Sequence, residues 1–221
     1  MKLDLLRDLI KLFALATMTI DHIGYTLFPD LTILRIIGRL AFPLFAYLIA
    51  LGLNSTKKPS KYLLTLLIFG FISQIPYFLV FNIQPFERLN IFFSLFLGAL
   101  TIHYFKKRSL LAFAPIFLSL ALNTEGSFYV VLTVLFMNLL LDDKKIGILG
   151  LFALNLPLLF ADLQGLALLS LPIIMLHQEN KLKLEIVIPD NSLLYTLRKY
   201  FFYVYYPLHL SILFLIVSNY L

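Results

Sequence analysis

Asp21 and His22 stand side by side within one apolar run of the chain, and Arg35 and Arg39 stand within the next. Gln74, Asn90, Glu125 and His209 mark later apolar runs or their ends. An imidazole titrates near neutral pH and serves as a general base. A guanidinium in an apolar setting needs a countercharge and has donors to spare for an anion. Adjacent residues on a helix point about 100° apart, so Asp21 and His22 do not form a direct carboxylate–imidazole pair. The arrangement predicts that Asp21 meets an arginine while His22 faces a cavity.

The elements that hold these residues follow from composition. The chain has 221 residues, and 61% are hydrophobic; mean hydropathy is +0.92. A soluble domain is roughly half apolar, and here the excess falls in long runs parted by short polar loops. A membrane-crossing helix takes about 20 mostly apolar residues. Transmembrane strands would alternate in polarity, and these runs do not. The fold class is therefore all-α: a polytopic integral membrane helical bundle of about nine transmembrane helices, forming a single transmembrane domain over residues 1–221. The predicted spans are Leu9–Phe28, Thr32–Leu53, Tyr62–Phe81, Leu89–Phe105, Leu110–Leu122, Ser127–Leu141, Ile146–Ala161, Leu166–Leu176 and Tyr200–Tyr220. The fifth and eighth are short for a crossing.

Charge tests this threading independently. Fifteen of the 18 Lys and Arg fall on the amino-terminal arm and alternate loops, in the groups Lys2 to Lys11, Lys57 to Lys61, Lys106 to Arg108, Lys144 to Lys145 and Lys181 to Lys199. Arg88 alone lies on the other side, and Arg35 and Arg39 lie within a span. Cytoplasmic loops carry the basic excess. The expectation is a multi-pass protein of the cell's inner or plasma membrane, amino terminus in the cytoplasm and carboxyl terminus outside. The net charge of +6 reads as topology. A nucleic-acid partner is excluded because no basic stripe is interleaved with exposed aromatics; the bilayer is the expected partner. The first apolar run lacks the small-residue site of a cleavable signal peptide. With no cysteine, disulfides and thiolate chemistry are excluded. The segment from His177 to Lys199, with its alternating stretch Lys181–Ile188 and then Pro189-Asp190-Asn191, reads as a small cytoplasmic hairpin or an interfacial segment.

Threading gives each polar residue a depth. At about 1.5 Å per residue, His22 and Arg39 both lie about 10 Å below the outer surface, on helices adjacent in sequence. Gln74 lies at the same level, Asn90 and Glu125 at outer helix ends, and His209 in the middle of the last span. Pro43 and Pro207 free the carbonyls of Arg39 and Tyr203, because proline has no N–H to give. Such carbonyls are tolerated where they line a cavity, and the kinks suit a pocket open to the outer side. The structural alternatives are an ion pair of Arg39 with Asp21 and hydrogen-bonded core roles for His22 and His209. His103 and His177 read as interfacial. The four histidines fall at different depths without ligand spacing, so no metal site is expected.

These residues also carry a resemblance. Met18-Thr-Ile-Asp-His-Ile-Gly24, Arg35-Ile-Ile-Gly-Arg-Leu-Ala-Phe-Pro-Leu-Phe-Ala-Tyr-Leu-Ile49, Ile72-Ser-Gln-Ile-Pro-Tyr77, Leu89-Asn-Ile-Phe-Phe-Ser-Leu-Phe-Leu-Gly98 and Phe202-Tyr-Val-Tyr-Tyr-Pro-Leu-His-Leu210 resemble the TraX family, named for the F-pilin acetylation protein. The resemblance is dense from Leu9 to Leu100 and returns in the last span. Before the sixth span this chain has Thr124-Glu-Gly-Ser127, where the family pattern has Asp-Tyr-Gly.

The resemblance implies membrane-bound acyl transfer, with acetyl-CoA as co-substrate. The implied acceptor is an amine or hydroxyl, on a protein amino terminus, a glycan or a lipid, presented from the extracytoplasmic side. Composition and spacing alone do not point to acetylation. On this reading His22 removes the acceptor's proton or carries the acyl group transiently, and Arg39 orients the donor carbonyl or stabilises the oxyanion. Asp21 holds one of them in place, while Arg35, Gln74, Asn90, Glu125 and His209 complete the substrate-binding wall. The rivals are a secondary transporter or channel with an Asp/His/Arg path, and a non-catalytic membrane subunit.

Overall fold

In a computed structural model the described residues are 2–179, 185–187 and 192–220. Among them lie nine helical segments. These are α1 (Leu5–Thr26), α2 (Thr32–Ser55), α3 (Pro59–Val80), α4 (Ile91–Lys106), α5 (Leu110–Ala121), α6 (Ser127–Asp142), α7 (Lys144–Ala161), α8 (Leu163–Gln178) and α9 (Ser192–Tyr220). Each matches one predicted span. By length and composition α2, α3, α7 and the Thr196–Asn219 part of α9 can cross a membrane. Leu110 is 84%, Leu149 69% and Phe160 89% exposed. In a bundle whose loops carry nearly all the charge, such surfaces face lipid.

The helices start and stop for local reasons. Asp4 caps α1 by accepting from the Arg7 N–H at 2.9 Å, Asn90 caps α4 through the Phe92 N–H at 3.1 Å, and Asp143 caps α7 through Lys145 at 2.9 Å. Each satisfies an orphan donor of the first turn. The short eighth span begins as a 3₁₀ helix, Leu163–Ser170, and continues as α-helix, Leu171–Gln178. The 3₁₀ rise of about 2.0 Å per residue stretches it to roughly 28 Å, close to the thickness of the hydrocarbon core.

The bundle packs α1 on α2, α9 on α3, and α6 on both α4 and α7. Tyr47, Leu44, Leu66, Ile102, Met137 and Ile174 are the large side chains sealed at its centre. One small element is not helical. β1 (Lys2–Asp4) pairs antiparallel with β2 (Glu185–Val187), Leu3 opposite Ile186. The alternating stretch thus supplies a strand, and its partner is the amino-terminal arm; Lys181, Lys183 and Pro189-Asp190-Asn191 lie outside the described residues. Beside the ladder, His177 holds Asp4 through Nε2 at 3.0 Å and the buried Tyr47 hydroxyl through Nδ1 at 2.7 Å. His177 therefore bridges three segments at this end of the bundle. The amino-terminal arm, the loops before α3, α5 and α7, and Arg198 and Lys199 in the first turns of α9 define one basic end of the bundle.

Candidate functional site

α2 is two helices, Thr32–Gly38 and Ala41–Ser55, parted by a turn at Arg39–Leu40. Pro43, within the second, cannot donate to the Arg39 carbonyl, and the break sets the Arg39 side chain at the joint. Gly38 lets α1 come close: a methyl group there would run into the Asp21 carboxylate. Asp21 Oδ2 meets Arg35 at 2.7 Å and Oδ1 meets Arg39 at 3.4 Å. Arg35 also donates to the Asp21 carbonyl at 3.1 Å. One carboxylate thus serves two guanidinium groups.

Arg39 continues the network by donating to Gln164 Oε1 at 2.7 Å and, through Nε, to the Arg35 carbonyl at 3.3 Å. Gln164 donates to the Tyr129 hydroxyl at 3.1 Å, which donates to Asn155 Oδ1 at 2.8 Å. A guanidinium has five N–H donors. Three are used, which leaves one on each terminal nitrogen for whatever enters.

His22 faces away from this carboxylate and pairs with His209. Its Nδ1 lies 2.8 Å from His209 Nε2, with the rings within 8° of parallel. His209 Nδ1 lies 3.0 Å from the Tyr205 carbonyl. A carbonyl only accepts, so His209 carries its proton on Nδ1. With both rings neutral, His209 Nε2 then accepts from His22 Nδ1–H, and the lone pair of His22 rests on Nε2. Phe81 and Tyr206 stand edge-on to the His22 ring, at 5.4 and 6.2 Å between centroids, and fix its tilt.

Asp21, His22, Arg39, Glu125 and Gln164 all line one cavity of about 1010 Å³. Its middle is walled by Leu15, Met18, Phe45, Ile49 and Phe202, and its far rim by Arg7, Lys57, Lys58, Lys61 and Lys199. The cavity therefore reaches the basic end of the bundle, where an opening on the opposite side was expected. Helix rise gives the depth of a residue but not which ends of neighbouring helices stand apart.

Glu125 sits in the turn before α6. A backbone bridge sets it there, its N–H donating to the Leu89 carbonyl at 2.7 Å, and Ser94 Oγ donates to its carbonyl at 2.6 Å. Gly126, at φ +68°, lets the chain turn into α6 in a conformation that glycine adopts without cost. Burial, with the Asp21 charge adding to it, pushes the Glu125 carboxyl up to about 7. Glu125 Oε2 and the Tyr206 hydroxyl are enclosed without a hydrogen bond of good geometry, and both residues line the cavity.

Gln74 and Asn90 are not brought to this site. Gln74 donates to the Arg88 carbonyl at 2.8 Å and accepts from the Asn90 N–H at 3.0 Å and side-chain amide at 2.8 Å. Asn90 also donates to the Gly70 carbonyl at 2.8 Å. The pair ties α3 to the start of α4, and neither residue lines the cavity. Arg35 and His209 stand behind the lining, each holding a residue that does line it. No three His, Cys, Asp or Glu converge as a metal would need among the described residues.

Sequence reasoning missed Gln164, Tyr129 and Tyr206 as site residues. Gln164 carried a signal, being a lone amide in the apolar run Leu163–Ser170. Tyr129 and Tyr206 carried none among 12 tyrosines.

The family described as TraX protein matches residues 6–217. An uncharacterised protein of Rickettsia prowazekii (strain Madrid E), RP591, is 43% identical over 100 residues, 45% of this chain and 38% of that protein. The match thus spans well under half of that relative. No solved structure matches.

Proposed function

The chain belongs to the TraX family, and from that membership together with the His22–His209 pair we propose that it is a membrane-embedded acyltransferase. The donor is an acyl thioester, acetyl-CoA, and the acceptor an amine or hydroxyl. By the positive-inside rule the basic end faces the cytoplasm, in the inner or plasma membrane. The donor enters there, and the acceptor comes from the opposite side.

The observation that carries the reading is the chain of bonds Tyr205 carbonyl, His209, His22. It leaves a lone pair on His22 Nε2, in a residue that lines a cavity also lined by a guanidinium with free donors. His22 Nε2 takes the proton of the acceptor's N–H or O–H as the acceptor atom attacks the thioester carbonyl. Arg39 receives the negative charge that develops on the carbonyl oxygen. The C–S bond then breaks, the new C–N or C–O bond remains, and His22 returns the proton to the departing thiolate. Asp21 and Arg35 hold Arg39 in place, and His209 holds His22 in one tautomer.

The test is donor turnover. Wild-type protein in nanodiscs, given radiolabelled acetyl-CoA, releases CoA or becomes labelled. His22→Ala lowers this rate by about 10²–10⁴-fold with the melting temperature preserved. An unchanged rate in His22→Ala removes His22 from the mechanism. No turnover in folded wild type, with solute flux in proteoliposomes, replaces the transferase by a transporter.

A further inference from the structure

At the basic end seven cations line the cavity, against two carboxylates, Asp4 and Asp8. Both carboxylates are engaged. Asp8 pairs with Lys11 at 3.2 Å and with Arg198, and Asp4 is held by His177. Arg7, Lys57, Lys58, Lys61 and Lys199 have no ion-pair partner among the described residues. Arg7 Nε is enclosed and makes no hydrogen bond. An enclosed guanidinium nitrogen without an acceptor is costly, and so is crowding of like charge.

Topology does not account for this grouping. The loops with Lys106 to Arg108 and Lys144 to Lys145 carry the same charge at the same end, yet none of these residues lines the cavity. The rim draws instead on three separate stretches: the first turns of α1, the loop before α3 with that helix's first turn, and the first turns of α9. From Lys11 to His22 the first helix rises about 16 Å, past walls of leucine, methionine and phenylalanine.

We propose that this rim is a phosphate site, which takes the nucleotide end of a thioester carrier whose arm runs down the apolar section to His22. The inference rests on the transferase reading and names the part of the donor that the rim recognises. Charge-assisted bonds to phosphate are the strong ones, and the phosphate-free arm suits the apolar walls. An anionic lipid headgroup offers the same chemistry, but its chains belong in the bilayer, beside the bundle.

The experiment compares two donors in neutral phosphatidylcholine nanodiscs. Acetyl-CoA carries phosphates, and S-acetyl pantetheine has the same arm without them. In the triple variant Lys57→Gln/Lys58→Gln/Lys61→Gln, KM for acetyl-CoA rises about tenfold or more, kcat holds, and KM for S-acetyl pantetheine stays as in wild type. Equal rises for both donors, or no rise, overturn the phosphate rim and leave the transferase reading standing. Calorimetric binding of adenosine 3′,5′-bisphosphate needs no turnover. If neither donor is turned over but this nucleotide binds and the variant loses it, the rim stands and the transferase fails. If the nucleotide does not bind, while phosphatidylglycerol stabilises wild type and not the variant, the rim serves lipid and the proposal is overturned.

Discussion

Two polar clusters lie in this bundle, one around Gln74 and Asn90 and one around Asp21, His22 and Arg39. Gln74 with Asn90, and Asp21–His22 with Arg39, were all placed in the outer half by counting residues along helices. The structure separates them by what is left over. In the first cluster the Gln74 and Asn90 side-chain amides meet each other or a main-chain group, and neither residue lines the cavity. In the second, bonds fix each group and still leave a lone pair on His22 and two N–H groups on Arg39 beside open space. A costly residue in a membrane helix is thus a functional candidate only when its hydrogen bonding stays unfinished.

Substitutions turn that contrast into measurements. His22→Ala is the largest expected effect, the 10²–10⁴-fold loss of turnover given above, without loss of fold. Arg39→Ala follows, at about 10²–10³-fold in kcat. Arg39→Lys recovers only part of it, because an ammonium lacks the planar fork that meets Gln164 and Asp21 from two separate nitrogens. Equal activity in Arg39→Ala and wild type would put Arg39 with the structural cluster. Asn90→Ala reverses the pattern. It removes a helix cap and takes a side-chain donor from both the Gly70 carbonyl and Gln74 Oε1, and costs about 1–3 kcal/mol in denaturant unfolding. Turnover per folded molecule is unchanged; a selective loss of kcat at normal stability would erase the distinction. The smallest effect concerns Glu125. Its carboxyl titrates at about 7, against an ordinary 4.5. Between those values the folded protein keeps a proton that the unfolded chain has lost, so stability is full below 4.5 and falls as pH rises through 7. Glu125→Gln flattens the slope of melting temperature over that window, and an undiminished slope would assign it to another group.

Much of this was legible in the sequence, for a reason that also marks the limit. A membrane helix has a known rise and must run from one surface to the other, so spans and depths follow from counting. The azimuth of a side chain about its helix does not. His22 was placed by depth beside Arg39, yet its partner is His209, 187 positions away, because the faces of α1 and α9 decide the meeting. Gln74 shares a depth with His22 by counting, and its face of α3 carries it to Asn90 and away from the cavity. Gln164 escaped notice because a 3₁₀ turn carries it into the site, and a single amide does not announce such a turn.

The pairing of α1 with α9 has a consequence for biosynthesis. The chain emerges from the ribosome amino end first, so His22 enters the membrane long before His209 exists. The Lys2–Asp4 strand likewise waits for Glu185–Val187. Until α9 is in place, the imidazole has no tautomer set for it and the basic rim lacks Arg198 and Lys199. A nascent bundle of the first eight helices therefore lacks both the paired imidazoles and part of the basic rim, and the cavity takes its full lining only once α9 has joined it.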